Sequence, residues 1–205
     1  MSGRTHQTDP GTSRLPLPTP ELVREGMRQF TEQGKVTEAA LQKLLRAFPG
    51  NTVTEEILLK VITINQMYST NIFAVQVVAE LIQAADIDAA LQVGDPGLVH
   101  RIDRLKFTTA KGRAVDWSIY SFATKYCALH QPQHYPIYDG LIAGKLVEYG
   151  RQDGFSVLRG VNLRDYPTFR KVVLQFQAHY GLQAFSFREI DHFLWSLAKG
   201  FLDPR

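Results

Sequence analysis

The chain has 205 residues, of which 44% are hydrophobic, 21% charged and 11% aromatic, the composition of a globular protein with a sizeable core. Its one cysteine, Cys127, excludes an internal disulfide framework, a four-cysteine metal cluster and an iron–sulfur site. The formal charge of +3 is unevenly spread: residues 53–100 carry one Lys against six acids, whereas residues 101–125 carry six bases against two acids. Such a basic segment suits either phosphate contact or a plain solvated loop.

The first 18 residues, rich in Pro, Ser, Thr and Gly, read as a flexible tail. Residues 19–205 read as a single domain, with room for two small helical lobes and a cleft between them. Thr19-Pro20-Glu21 opens a helix expected to run to about Glu32. Thr37 reads as the cap of a second helix, with Leu41, Leu44, Leu45 and Phe48 on one face and a Val36–Leu41 staple; Pro49-Gly50 stops it. Thr54 reads as the cap of a third helix, with Glu55 and Glu56 in its first turn, ending near Gln66. A fourth runs from Ile72 to about Ala84, apolar nearly all round and so expected to be central.

Two short helices follow, Asp86–Val93 and Asp95–Leu105, broken at Gly94. Phe107 to Ala114 lacks periodicity and reads as a basic loop. Further helices are expected over Trp117–His130, Asp139–Tyr149, a stripe from Phe169 to Tyr180, and one opened by the capping box Ser186-Phe-Arg-Glu189. No alternating strand stands out. The fold class is all-α, a compact bundle of about nine or ten helices.

Val61–Ala79 is broken by seven polar residues, and the N-terminus has no apolar stretch of signal-peptide length, so we expect a cytoplasmic protein without membrane partners. No phosphate-binding glycine loop, Gly-x-Ser-x-Gly elbow or His-Glu-x-x-His pair occurs, and we expect neither cofactor nor metal. The informative segment runs from Ser121 to Ile142. Lys125 lies among Phe122, Tyr126, Cys127 and Leu129, where desolvation would lower its pKa and leave a neutral, nucleophilic amine. Asp139 opens the next helix. Each residue also has a plain reading: Asp139 as an N-cap, and Lys125 as a surface lysine with its stem along an apolar face.

The segment resembles the helix–hairpin–helix DNA glycosylases, the superfamily of endonuclease III and the oxoguanine glycosylases. Ser121-Phe-Ala123-Thr124-Lys125 lies where the family carries Gly-x-Gly-x-Lys, with Ser and Ala in place of the glycines. Pro136-Ile-Tyr-Asp139 is similar to the segment holding the catalytic Asp. Glu56–Gln66 resembles the helix whose final Gln enters the DNA stack, and Ile72–Leu81 and Ala90–Ile102 resemble the elements that follow, so the likeness covers residues 54–145.

The resemblance implies a DNA glycosylase that binds a duplex with a flipped base. Asp139 would stabilise the developing sugar cation, and Lys125 would be a candidate Schiff-base nucleophile. Ser121, Ala123, Thr124, Lys106, Lys111 and Arg113 would contact DNA, with Gln66 or Tyr68 filling the gap in the stack. Tyr138, Tyr135 and Trp117 are candidates for the base pocket or, equally, for core packing. Such a protein would associate with the nucleoid when bound to DNA. Two other readings fit the same residues: a DNA-binding relative without chemistry, and a helical protein-interaction domain. Protein partners and the target base are not specified by any motif.

Overall fold

The computed structural model describes residues 14–156 and 158–202. Among these residues the chain is mostly helical, with one small two-stranded sheet. The elements are α1 (Pro20–Ala47), α2 (Thr54–Met67), α3 (Val75–Ala84), α4 (Asp88–Val93), α5 (Leu98–Ile102), β1 (Arg104–Thr108), β2 (Ala114–Ser118), α6 (Tyr120–His130), α7 (Gly140–Asp153), α8 (Tyr166–His179) and α9 (Phe187–Ala198).

Thr19 caps α1 as expected, its side chain accepting the Leu22 N–H with Pro20 in the first turn. The two helices expected over residues 20–48 are one. Thr37 is not a cap, and Val36 is 83% exposed, so no staple forms. A lone glycine inside a helix costs only about 1 kcal/mol against alanine, too little to divide a helix of 28 residues. Thr54 is the first residue of α2, not its cap, which is Val53. In α3 only Val78, Ala79 and Ile82 are buried, so the helix is half-exposed and not central.

The expected basic loop is an antiparallel hairpin, in which Leu105 faces Trp117 and Phe107 faces Val115. Trp117 is therefore a strand residue, and α6 begins only at Tyr120. Of the expected tail, residues 1–13 lie outside the described residues. Residues 14–18 are tied down: Leu15 exchanges two hydrogen bonds with Gln152, and the Tyr149 hydroxyl donates to Pro16 O.

The core is rich in tyrosine. Tyr120, Tyr126, Tyr135, Tyr149 and Tyr166 are all buried, and each hydroxyl donates to a partner: Leu163 O, Asn51 Oδ1, Ala90 O with Asp95 O, Pro16 O and Pro136 O. A fully buried lysine, Lys60, ties the end of α1 to α2 by donating to Phe48 O, Gly50 O and Asn51 Oδ1. Burial pushes its pKa down to about 8. The His130 Nδ1 lies 2.9 Å from Tyr126 O, which assigns the proton to Nδ1 and leaves the Nε2 lone pair facing the Lys60 amine at 3.3 Å.

Two close approaches set the frame. Gly26 lets α1 and α9 meet: a methyl group there would lie 2.9 Å from Phe193 Cα, and Ser196 Oγ donates to Gly26 O at 2.8 Å. Gly94 ends α4 in the left-handed region with φ of 69°, against the His134 ring.

Candidate active site

Lys125 sits in the middle of α6, in a run from Phe122 to Leu129 that is buried throughout. Its side chain is 5% exposed. The amine donates to Ser121 Oγ one turn back at 2.7 Å and to Tyr138 O at 3.3 Å. It stands 3.8 Å from Asp139 Oδ2 and 5.8 Å from the centre of the Tyr68 ring. Burial lowers the Lys125 pKa, partly opposed by Asp139 and Asp191.

Asp139 is the N-cap of α7. Its Oδ1 accepts the Leu141 N–H at 2.9 Å, which fixes the carboxylate and turns Oδ2 to Lys125. Its side chain is 35% exposed, so the pair joins an interior amine to a carboxylate that meets solvent. Thr124 locks the spacing: its hydroxyl accepts from Tyr138 N–H at 3.1 Å, and its hydrogen lies within reach of Ser121 O at 3.0 Å.

Asp139 and Tyr68 line a cleft of about 480 Å³ between α1, α2, α7 and α9. Its apolar walls include Phe30, Leu41, Met67, Ile142 and Trp195. The same cleft holds a polar cluster that no sequence motif announces. The Arg188 guanidinium donates to Asp191 Oδ2 at 3.0 Å, to Glu38 Oε2 at 2.8 Å and to the Tyr68 hydroxyl at 2.9 Å. Burial opposes the Arg188 charge, but Asp191, Tyr68 and Glu38 outweigh it and raise its pKa. Burial pushes the Asp191 carboxyl up to about 6, against the pull of Arg188 and Lys125. It also pushes the Tyr68 hydroxyl up to about 12. Apolar walls with a few convergent polar groups and displaced pKa values are the ordinary make-up of a ligand or active site.

The other expected site residues divide. Tyr68 lies in the cleft wall beneath Lys125, not at a tip that would enter DNA. Gln66 is exposed near the end of α2. Lys106 is exposed on β1 opposite Asp116, and Lys111 and Arg113 are exposed in the hairpin turn; none of the three lines the cleft. Ser121, Ala123 and Thr124 are inside α6, preceded by a β-hairpin where the resemblance implies a helix and a glycine turn. Ala123 and Thr124 are 0% exposed, so neither contacts DNA: their small side chains serve packing and the Tyr138 peptide. Tyr135 is buried with its hydroxyl satisfied, and Tyr138 packs between Tyr120 and Phe169; neither ring lies in the cleft. Trp117 is on β2, away from the cleft lining.

Among the described residues, no group of three or more His, Cys, Asp or Glu is placed to hold a metal, and no helix is long and apolar enough to cross a membrane. A family model described as HI_0787_N, N-terminal domain, matches residues 22–134, which includes Lys125 and stops short of Asp139. A Haemophilus influenzae protein named "Uncharacterized protein" is 35% identical over 150 residues, covering 73% of this chain and 69% of the relative. No solved structure matches the chain.

Proposed function

The chain belongs to the HI_0787_N family, and for this member we propose the activity of a DNA N-glycosylase acting on a damaged or modified base. The observation that carries this reading is the Asp139 carboxylate in the lining of a cleft of about 480 Å³, with the buried Lys125 amine, itself outside that lining, 3.8 Å from its Oδ2. That volume falls in the range of roughly 300–1,000 Å³ common for small-molecule pockets. The target base leaves the duplex, at a cost of a few kcal/mol in unstacking and unpairing, and enters the cleft.

As the bond between base and sugar breaks, the base departs with the bonding electrons and positive charge develops on the deoxyribose. The Asp139 carboxylate offsets that charge. Lys125, deprotonated when it attacks, forms the new bond to the sugar carbon. The bound amine gives one proton to the departed base, its lone pair breaks the C1′–O4′ bond as O4′ takes a proton from water, and a protonated Schiff base results; loss of a C2′ proton to water then expels the 3′ phosphate and cuts the strand. Where water attacks in its place, an abasic site remains. The exposed cations Lys106, Lys111 and Arg113 supply phosphate contacts, and the protein works in the cytoplasm, at the nucleoid.

One observation favours a second reading, a DNA-binding protein without chemistry: Ser121 Oγ, Tyr138 O and Asp139 Oδ2 are all acceptors around the amine, an arrangement that also suits a charged lysine. Incubation of the wild type and Asp139→Asn with duplexes carrying a panel of modified bases, with and without alkali, separates the two. A glycosylase gives cleavage that depends on Asp139. A binder gives no product from either protein, with affinity for DNA kept in both.

A further inference from the structure

The amine that the reading above needs is not in the cleft. Lys125 is absent from the lining and its side chain is 5% exposed, whereas an attacking group must come within about 3–3.5 Å of the atom it attacks. Ser121 Oγ and Tyr138 O accept from the amine, and Asp139 Oδ2 faces it. Tyr68 covers it: the amine lies over the Tyr68 ring, 5.8 Å from its centre. Of these four neighbours only Asp139 and Tyr68 also line the cleft.

The backbone under this ring is fixed. Tyr68 closes α2, its N–H donating to Ile64 O at 3.0 Å. Across the turn that follows, the Asn65 side chain accepts from Ile72 N–H and donates to Ile72 O, both at 2.9 Å. The ring itself is held at its tip, where the hydroxyl accepts from Arg188 Nη2 at 2.9 Å. The same Nη2 donates to Glu38 Oε2 at 2.8 Å, and Nη1 donates to Asp191 Oδ2 at 3.0 Å. Arg188 therefore keeps two carboxylate partners when it lets Tyr68 go, so this bond can open without stranding a buried charge. Burial pushes the Tyr68 hydroxyl up to about 12, which keeps it neutral and able to accept from Arg188.

We propose that Tyr68 is a positioning residue that gates Lys125, with Arg188 as its latch. While the hydroxyl is latched, the ring bars the amine from the cleft. When the latch opens, rotation of the Tyr68 side chain between rotamers clears the way from the amine to a ligand in the cleft. The role rests on the nucleophilic reading of Lys125 above. It reconciles an amine outside the lining with chemistry inside the cleft.

The test reads the amine directly and needs no DNA. The full chain as wild type, Tyr68→Phe and Tyr68→Ala is treated with formaldehyde and dimethylamine–borane, and methylation of each lysine is followed by peptide mass. Lys60, fully buried beside His130, is the internal standard for general loosening. Tyr68→Phe keeps the ring and loses only the latch. Its Lys125 methylation rises about tenfold, the least that a hydrogen bond to a charged group is worth as an equilibrium constant. Tyr68→Ala gives at least the same rise, and the Lys60 rate holds in both. An unchanged Lys125 rate in Tyr68→Phe, or a rise that Lys60 shares, overturns the gate; base release by the wild type in that case leaves the glycosylase reading standing. A rise confined to Lys125, with no base released by the wild type from any substrate, supports the gate and overturns the glycosylase reading.

Discussion

Lys125 Nζ and Asp139 Oδ2 stand 3.8 Å apart, the amine almost wholly buried and the carboxylate one-third exposed. Asp139 has two tasks at this point: a helix cap through Oδ1 and a charge partner through Oδ2. The tasks separate by substitution. Asp139→Asn keeps a good capping side chain and removes the charge, whereas Asp139→Ala loses both. We predict that Asp139→Asn lowers base release by about 10²–10³-fold, with stability held within about 0.5 kcal/mol. Asp139→Ala should give the same kinetic loss and about 1 kcal/mol of destabilisation by urea unfolding.

Stability should fall in acid through two histidines held neutral. Burial pushes His130 down to about 4, with Lys60 adding to the effect, and burial pushes His192 down to about 3. Below pH 6.5 the unfolded chain takes up protons that the folded chain refuses, so folding stability drops as pH falls from 6.5 towards 4. The slope approaches about 1.4 kcal/mol per pH unit for each histidine. Asp191, raised to about 6, acts in the opposite sense between its unfolded pKa and 6 and moderates the fall. His192 stacks on Phe30 at 3.7 Å, and its Nε2 has no protein hydrogen-bond partner. His192→Phe should therefore flatten the acid limb of a urea-midpoint curve without lowering stability at pH 7. A limb of unchanged steepness would show that His192 does not contribute.

The α1–α9 contact at Gly26 supports both long walls of the cleft. An alanine methyl group would meet backbone at Phe193 Cα, 2.9 Å away, and backbone cannot swing aside as a side-chain tip can. Gly26→Ala should cost about 1–3 kcal/mol in urea unfolding and weaken base release by displacing Arg188 and Asp191. Gly144→Ala is the control, because a methyl group there meets nothing within 4 Å.

The hairpin cations should act on every DNA sequence alike. Replacing Lys106, Lys111 and Arg113 with Gln, one at a time, should weaken duplex binding. Each replacement should also lower the slope of log affinity against log salt by about 1, because one phosphate is no longer neutralised. Fluorescence anisotropy over a salt series reads this. Slopes equal to the wild type would remove the hairpin from the DNA interface.

The Lys125–Asp139 pair is legible in the sequence because both residues belong to one short segment, where a lysine in an apolar helix precedes an acid at a helix start. Arg188, Asp191 and Glu38 are not, since α1 and α9 meet only in the folded chain. The local trace is an acid inside the apolar stretch Ile190-Asp191-His192-Phe193-Leu194, which the helical period assigns wholly to packing. The hairpin also has a trace. Leu105 and Phe107 alternate with Arg104, Lys106 and Thr108, and Val115 and Trp117 with Asp116, around a turn at Gly112. Dense charge and outward-facing strands obscure that period of two. Thr37 resembles a start, so the sequence alone divides α1 in two; a cap residue ends no helix by itself, and α1 runs through it from Pro20 to Ala47.

The most direct measurement avoids the unknown base altogether. A duplex carrying a natural abasic site is incubated with the protein and borohydride, and any covalent adduct is mapped by peptide mass. The wild type should form a protein–DNA adduct at Lys125 that is absent in Lys125→Gln and slower to form in Asp139→Asn. An adduct of equal yield in Lys125→Gln, or none from the wild type, would contradict the nucleophilic role of Lys125.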